Sequence, residues 1–144
     1  MRTRPDVLEY IRRHGEETYP EECCGFLIGR LGEDGNEVLS ARRAVNRNEV
    51  RRVDRYVIAP EEYREADLAA REANLDIVGM YHSHPDHPPQ PSQTDLEQAT
   101  FPGYTYVIVS VQSGRAAGVT AWSLAEDRSK FLSEQIDRLA TNNR

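Results

Sequence analysis

The chain has 144 residues, a formal net charge of −6 and a mean hydropathy of −0.71. That length suits one domain, residues 1–144, with a sizeable core, and the acidic balance excludes a general basic footprint for nucleic acid. No apolar run approaches the ~20 residues of a membrane span, and Met1-Arg2-Thr3-Arg4-Pro5-Asp6 opens no signal peptide, so no membrane association and a cytoplasmic location are expected.

Pro5 to Tyr19 reads as a helix with Val7, Leu8 and Ile11 in register, closed by Pro20; His14 on it is expected at the solvent or the core edge. Cys24 to Ile28 and Glu37 to Val45 read as strands around the turn-like Gly32-Glu33-Asp34-Gly35-Asn36. Cys23 and Cys24 are adjacent, so alternation points them apart and a mutual disulfide is not expected; reduced thiols packed in the core are. Asp54 to Ile58 reads as a further strand. Pro60 starts a helix through about Ala73, with Tyr63, Ala66, Ala70 and Ala73 inward.

Asp76 to His82 is the next strand, and Ser92 to about Ala99 a short helix. Tyr104 to Val111 and Gly118 to Leu124 pair across a turn at Gln112-Ser113-Gly114. Glu126 to Ala140 is expected to close the chain as a helix with Phe131, Leu132, Ile136 and Leu139 inward, and Thr141 to Arg144 to fray. No repeat or linker interrupts this order, which describes an α/β domain with α-β-α layers and a mixed sheet.

The chemistry concentrates in His82-Ser83-His84-Pro85, followed by Ser92 and Asp95. Two histidines two apart on a strand share a face, while Ser83 points to the other side. The loop between His84 and Ser92 contains Pro85, Pro88, Pro89 and Pro91, and Asp95 follows it in the first turn of a helix that Ser92 is placed to cap. Two nitrogens and one carboxylate oxygen make a three-ligand zinc set with a fourth position for water, the pattern of a catalytic centre. Glu22 lies at the mouth of the early strand, where a carboxylate could shuttle a proton from water to a leaving amine. By itself that segment reads better as a solvated helix end beside Glu16, Glu17 and Glu21.

Together these segments resemble the JAMM (MPN+) metalloproteases, zinc isopeptidases that cut after ubiquitin-like C-termini. Glu22 precedes Gly25 by three in Glu22-Cys23-Cys24-Gly25-Phe26-Leu27-Ile28-Gly29. His82-Ser83-His84 is then followed, after seven residues, by Ser92-Gln93-Thr94-Asp95. Gly79-Met80-Tyr81, Tyr56 to Tyr63 and Gly118 to Trp122 extend the likeness over residues 5 to about 125. The resemblance implies a cytidine-deaminase-like fold with zinc (Zn2+) on His82, His84 and Asp95. It also implies Glu22 as general acid/base and Ser92 as hydrogen-bond donor to the oxyanion. The compact length is similar to that of the small bacterial members, which implies a ubiquitin-like or sulfur-carrier protein as substrate, cut after its Gly-Gly end with release of cysteine or another amine. Homo-oligomer formation is left open.

Three rival classes stand beside this reading. A catalytically silent scaffold of the same fold would bind partners without metal. A zinc deaminase needs His-x-Glu together with Pro-Cys-x-x-Cys; here the cysteines adjoin and no Pro-Cys-x-x-Cys occurs. A thiol enzyme would use Cys23 or Cys24. Arg42, Arg43, Arg47, Arg51, Arg52 and Arg55 crowd a stretch with only Glu49 and Asp54 to offset them, which reads either as a solvated loop or as a docking surface for an acidic partner. His87 stands in the proline-rich loop, where it could gate a site or contact substrate.

Overall fold

A computed structural model describes residues 1–139. In chain order the elements are β1 (Arg2–Thr3), α1 (Pro5–Thr18), β2 (Cys24–Arg30), β3 (Glu37–Ala44), α2 (Pro60–Glu72), β4 (Asp76–Pro85), α3 (Gln93–Gln98), β5 (Thr105–Gln112), β6 (Arg115–Leu124), β7 (Phe131–Glu134) and β8 (Asp137–Arg138). All eight strands join one sheet, ordered β7-β6-β5-β4-β2-β3-β1-β8. It is mixed, as expected: β4 runs parallel to β5 and β1 parallel to both β3 and β8, while the remaining pairs are antiparallel.

The layers follow from alternation. Val7 and Ile11 of α1 bury against Leu27, Val38, Val78, Tyr81, Val107 and Val109 on one face of the sheet. Ala66 and Ala70 of α2 bury against Cys24, Phe26, Ile28 and Ile77 on the other. Both helices begin with proline at the first position, where a missing N–H costs nothing. α1 stops at Thr18 because Tyr19 precedes Pro20 and is driven to extended backbone, with ψ of 134°. No helix among the described residues is long and apolar enough to cross a membrane.

One irregularity sets the face of the histidines. Opposite β2, Leu27 pairs with Gly79 and Ile28 with Ile77, leaving Val78 as the extra residue of a bulge. The bulge resets the alternation, so Ile77 and Met80, three apart, both pack on the α2 side. His82 and His84 continue the face of Met80.

Three expectations are corrected. Residues 54–58 form no strand, because a side chain rather than a neighbouring strand takes up their backbone. Asn46 Nδ2 donates to Arg55 O (2.9 Å), Asn46 Oδ1 accepts from Val57 N (3.2 Å), and Arg47 N donates to Val57 O (2.8 Å). The closing helix over 126–140 is instead a hairpin with β7 and then β8. Arg128, at φ 60°, turns the chain between Ala125 and Lys130, and β7 pairs with the free edge of β6. Phe131 packs edge-on against Tyr106 at 5.4 Å, whereas Leu132 is 46% exposed. Ala140 and the expected fraying of Thr141–Arg144 fall outside the described residues. Third, His14 is buried rather than at an edge, and its Nδ1 meets the Tyr81 hydroxyl at 2.7 Å.

The sheet leaves no room at Gly79, where a β-carbon would stand 1.8 Å from Thr105 O on β5. Gly79→Ala is expected to cost at least roughly 1–3 kcal/mol, read as a lower denaturation midpoint; an unchanged midpoint would contradict the β4–β5 register.

Candidate active site

β4 ends at the centre of the sheet, between β2 and β5, with His82 opposite Cys24 at the start of β2 and His84 beyond it. Both imidazoles are buried, and their Nε2 atoms stand 3.1 Å apart. Ser83, between them, faces the other way as expected: its Oγ accepts from Cys23 N at 2.8 Å.

The loop after His84 is a fixed wall. Asp86, at φ 58°, turns the chain and donates its amide to Val111 O (2.7 Å), while its carboxylate accepts from Ser113 N (2.8 Å) and the Tyr19 hydroxyl. The carbonyl of His87 accepts from Ser110 Oγ (2.6 Å) and that of Pro89 from Thr120 Oγ1, which in turn accepts from Trp122 Nε1 (2.8 Å). Successive carbonyls of a proline-rich loop are thus held by β5 and β6. The loop then delivers Ser92 into a capping box: Ser92 Oγ accepts from Asp95 N (3.0 Å) and Asp95 Oδ2 from Ser92 N (2.9 Å). The cap fixes the rotamer of Asp95.

Asp95 then lies against both imidazoles, with Oδ1 3.2 Å from His82 Nε2 and Oδ2 3.0 Å from His84 Nε2. One donor atom from each of the three lies within 4.8 Å of the others. The protonation of His84 makes this cluster informative. Its Nδ1 stands 3.0 Å from Pro88 O, which can only accept, so Nδ1 carries the hydrogen. A neutral His84 therefore turns a bare Nε2 lone pair toward a carboxylate oxygen and a second imidazole. That arrangement is repulsive unless a proton or a metal cation sits among them. Without metal, a proton is the available solution. Burial works to lower the His84 pKa, but the hydrogen bond to Asp95, the Pro88 carbonyl and the Asp95 charge outweigh it and raise it. Burial pushes the Asp95 pKa upward, yet the hydrogen bonds from His82 and His84 carry it well below the usual carboxylate range.

Glu22 arrives from the segment entering β2 and is only 5% exposed. Its Oε1 is buried without a hydrogen-bond partner among the described residues. Burial first, then the negative charges of Asp95 and Asp54, push its carboxyl up to about 9, with Arg55 opposing. The backbone of Glu22 is clipped to the 46–57 loop, because its N–H donates to Arg52 O (2.7 Å) and its carbonyl accepts from Asn46 Nδ2 (3.1 Å). A cleft of about 380 Å³ opens between Glu22, Asp54 and Arg55 on one side and His84, His87, Pro88 and Ser92 on the other. Glu22, His84 and Ser92 thus share one cleft, and His82 and Asp95 complete the cluster at its inner edge.

The thiols offer no competing nucleophile. Burial pushes the Cys23 thiol up to about 12 and raises that of Cys24 further, so neither is a thiolate near neutrality. Of the arginines in the 42–55 stretch, Arg42, Arg43 and Arg51 pair with Glu65, Glu17 and Asp54. Three neighbours of the site went unnoticed in the sequence. Asn46 ties Glu22 to the following loop, Tyr56 stacks on the His82 ring at 4.9 Å, and Thr120 holds Pro89. Asn46 left a faint signal as an Asn-x-Asn pair in an arginine-rich loop; the other two left none.

The layered mixed sheet, with polar side chains gathered at the end of its middle strands, is the JAB1/MPN arrangement. A family model described as prokaryotic homologues of the JAB domain matches residues 4–125, and the chain belongs to that family. It is 37% identical over 134 residues to a protein of Haloferax volcanii named desampylase, covering 93% of this chain and 91% of the relative. It is 32% identical over 109 residues to a Mycobacterium tuberculosis protein named CysO-cysteine peptidase, covering 76% and 72%. A solution structure of a Salinibacter ruber protein superposes with a TM-score of 0.77 at 56% identity, over 96% of this chain and 92% of that one. A JAB1/MPN domain protein of Archaeoglobus fulgidus shares the fold, with a TM-score of 0.61 at 16% identity over 97% of this chain and 100% of that one.

The Glu22 environment has a consequence for stability in metal-free protein. The unfolded carboxyl ionises near 4.5 but the folded one holds its proton to about 9, so across that range the native state binds more protons and stability falls as pH rises. His14, lowered to about 4 by burial and Arg43, acts in the opposite sense up to 6.5. His84, whose pKa the Asp95 and Pro88 contacts raise against burial, adds to the loss above 6.5, so the net decline, for which Glu22 is the larger source, lies between about pH 6.5 and 9. Chemical denaturation of chelated protein at several pH values should show it, and Glu22→Gln should flatten it; an equal slope in the variant would contradict the burial of an uncompensated carboxyl.

Proposed function

We propose that this protein is a zinc-dependent peptidase that hydrolyses the amide bond after the C-terminal Gly-Gly of a ubiquitin-like or sulfur-carrier protein. The reading is carried by one observation: two imidazole nitrogens and a carboxylate converge, with the hydrogen of His84 already committed to the Pro88 carbonyl, beside a buried carboxyl oxygen that has no partner among the described residues. The donor set fits zinc, which binds imidazole nitrogen and carboxylate oxygen in tetrahedral sites and leaves a position open when the protein supplies three ligands. His82, His84 and Asp95 would hold it, with the Pro88 carbonyl fixing the tautomer of His84. Zinc bound there supplies Lewis acidity, withdrawing electrons from a carbonyl and lowering the pKa of water.

The other roles fall to groups of this chain. Glu22 takes a proton from the attacking water and passes it to the departing nitrogen; burial and the Asp95 charge hold its carboxyl protonated in metal-free protein, and the charge of a cation on the neighbouring cluster would bring it back toward neutrality. Ser92 spends an oxygen lone pair on the Asp95 amide, so its O–H remains free to donate to the carbonyl oxygen as negative charge develops there. No covalent nucleophile is needed. A Gly-Gly tail suits an approach between the anchored loop and Glu22, because glycine lets an extended backbone come closest to the reacting centre. The desampylase and CysO-cysteine peptidase relatives support a carrier protein as the acyl partner.

Four substitutions test the assignment with a Gly-Gly-terminated carrier fusion. Glu22→Gln should retain stoichiometric metal and lose turnover, whereas His82→Ala or Asp95→Ala should lose both. Ser92→Ala should lower kcat about 10²–10³-fold, beyond what the lost cap explains, since that costs only ~1 kcal/mol of stability. Full turnover in Glu22→Gln would refute the role given to Glu22, and native protein that takes up no zinc and cleaves nothing would favour the silent scaffold.

A further inference from the structure

Arg55 stands on the same wall of the cleft as Glu22. The side-chain amide of Asn46 donates to the carbonyls of both Glu22 (3.1 Å) and Arg55 (2.9 Å), clipping the two backbones together. The Arg55 side chain is half-buried and lines the cleft together with Glu22, His84 and Ser92. Its hydrogen bond goes to the Asp54 carbonyl at 3.2 Å, and among the described residues it joins no ion pair. The Asp54 carboxylate is engaged elsewhere: Arg51 Nε reaches its Oδ1 at 2.9 Å while Arg51 Nη2 pairs with its Oδ2. Arg55 thus brings a charged fork with unused N–H donors to the cleft, and such a fork selects carboxylate or phosphate.

We propose that Arg55 binds the α-carboxylate of the residue released by hydrolysis, which makes the enzyme one that frees a single amino acid from the end of its carrier. This inference rests on the peptidase reading above. If Glu22 delivers the proton to the leaving nitrogen, that nitrogen departs along the Glu22 wall. In an amino acid leaving group the carboxylate is separated from the nitrogen by one carbon, so it must fall close to Glu22, in the cleft that Arg55 also lines. In a lysine isopeptide the same space is filled by a chain of methylenes, which would leave a half-buried cation facing hydrocarbon. Asn46 acts through its neighbours as a positioning residue, keeping Arg55 in step with Glu22.

The test compares three substrates built on one carrier with zinc present: a Gly-Gly-Ala end with a free carboxylate, the same end as its C-terminal amide, and Gly-Gly joined to the side-chain nitrogen of a lysine peptide. Wild-type kcat/KM should favour the free acid over the amide and the isopeptide by roughly ten- to a hundred-fold, the worth of a charge-assisted hydrogen bond. Arg55→Gln should bring the acid-to-amide ratio close to one, chiefly through KM for the acid, and Arg55→Lys should recover part of it. The charge of Arg55 also acts on Glu22, but any such effect is common to acid and amide and cancels in the ratio. Binding of the same acid and amide to zinc-loaded Glu22→Gln protein should show the same preference, and adding Arg55→Gln should remove it. Equal wild-type rates on acid and amide, or a preference that survives Arg55→Gln, would overturn the inference while leaving the peptidase reading intact. Failure of the wild type to cleave all three would overturn the peptidase reading, and this inference with it.

Discussion

Everything at the site depends on the placement of one carboxylate, that of Asp95, against two imidazole nitrogens. Its two oxygens stand 3.2 and 3.0 Å from His82 and His84, and a backbone carbonyl has already claimed the hydrogen of the nearer imidazole. Acceptors crowded in this way in a buried pocket are unfavourable without a cation or an extra proton among them. The rest of the fold can be understood as the means of keeping that crowding in place.

Two kinds of support hold it. Beneath, β4 runs through the middle of the sheet with β2 and β5 on either side, and the Val78 bulge chooses the face on which the histidines emerge. Above, the 85–91 loop is rigid by connection rather than by composition alone, since carbonyls of His87, Pro88 and Pro89 are each bound by a side chain from β4, β5 or β6. These bonds present Ser92 and Asp95 across the cleft from Glu22. The facing side of the cleft is the 46–57 loop, where Asn46 fastens Arg55 to Glu22.

What could be read from the sequence was whatever a local rule governs. The His82-x-His84 pair follows from strand alternation, the aim of Asp95 from the capping pattern of Ser92, and the two long helices from proline at their starts and apolar spacing within. Glu22 was ambiguous for a physical reason: its burial comes from segments far along the chain, at Asn46, Arg52 and the β4 end. The strand expected over 54–58 failed because an asparagine eight or more residues away captured its backbone groups. The closing helix failed because Phe131, Ile136 and Leu139 satisfy helical spacing in isolation, while the open edges of β6 and β1 offered ladders that local spacing cannot reveal.

The most direct test of the account is the identity and surroundings of the bound metal in protein isolated without chelator. Metal analysis combined with X-ray absorption should find about one equivalent of zinc, held by nitrogen and oxygen at roughly 2.0–2.2 Å with no sulfur, and His82→Ala should abolish the signal. Protein that stays metal-free when offered zinc, or a metal bound through Cys23 or Cys24, would contradict the claim that two imidazoles and Asp95 form a cation site.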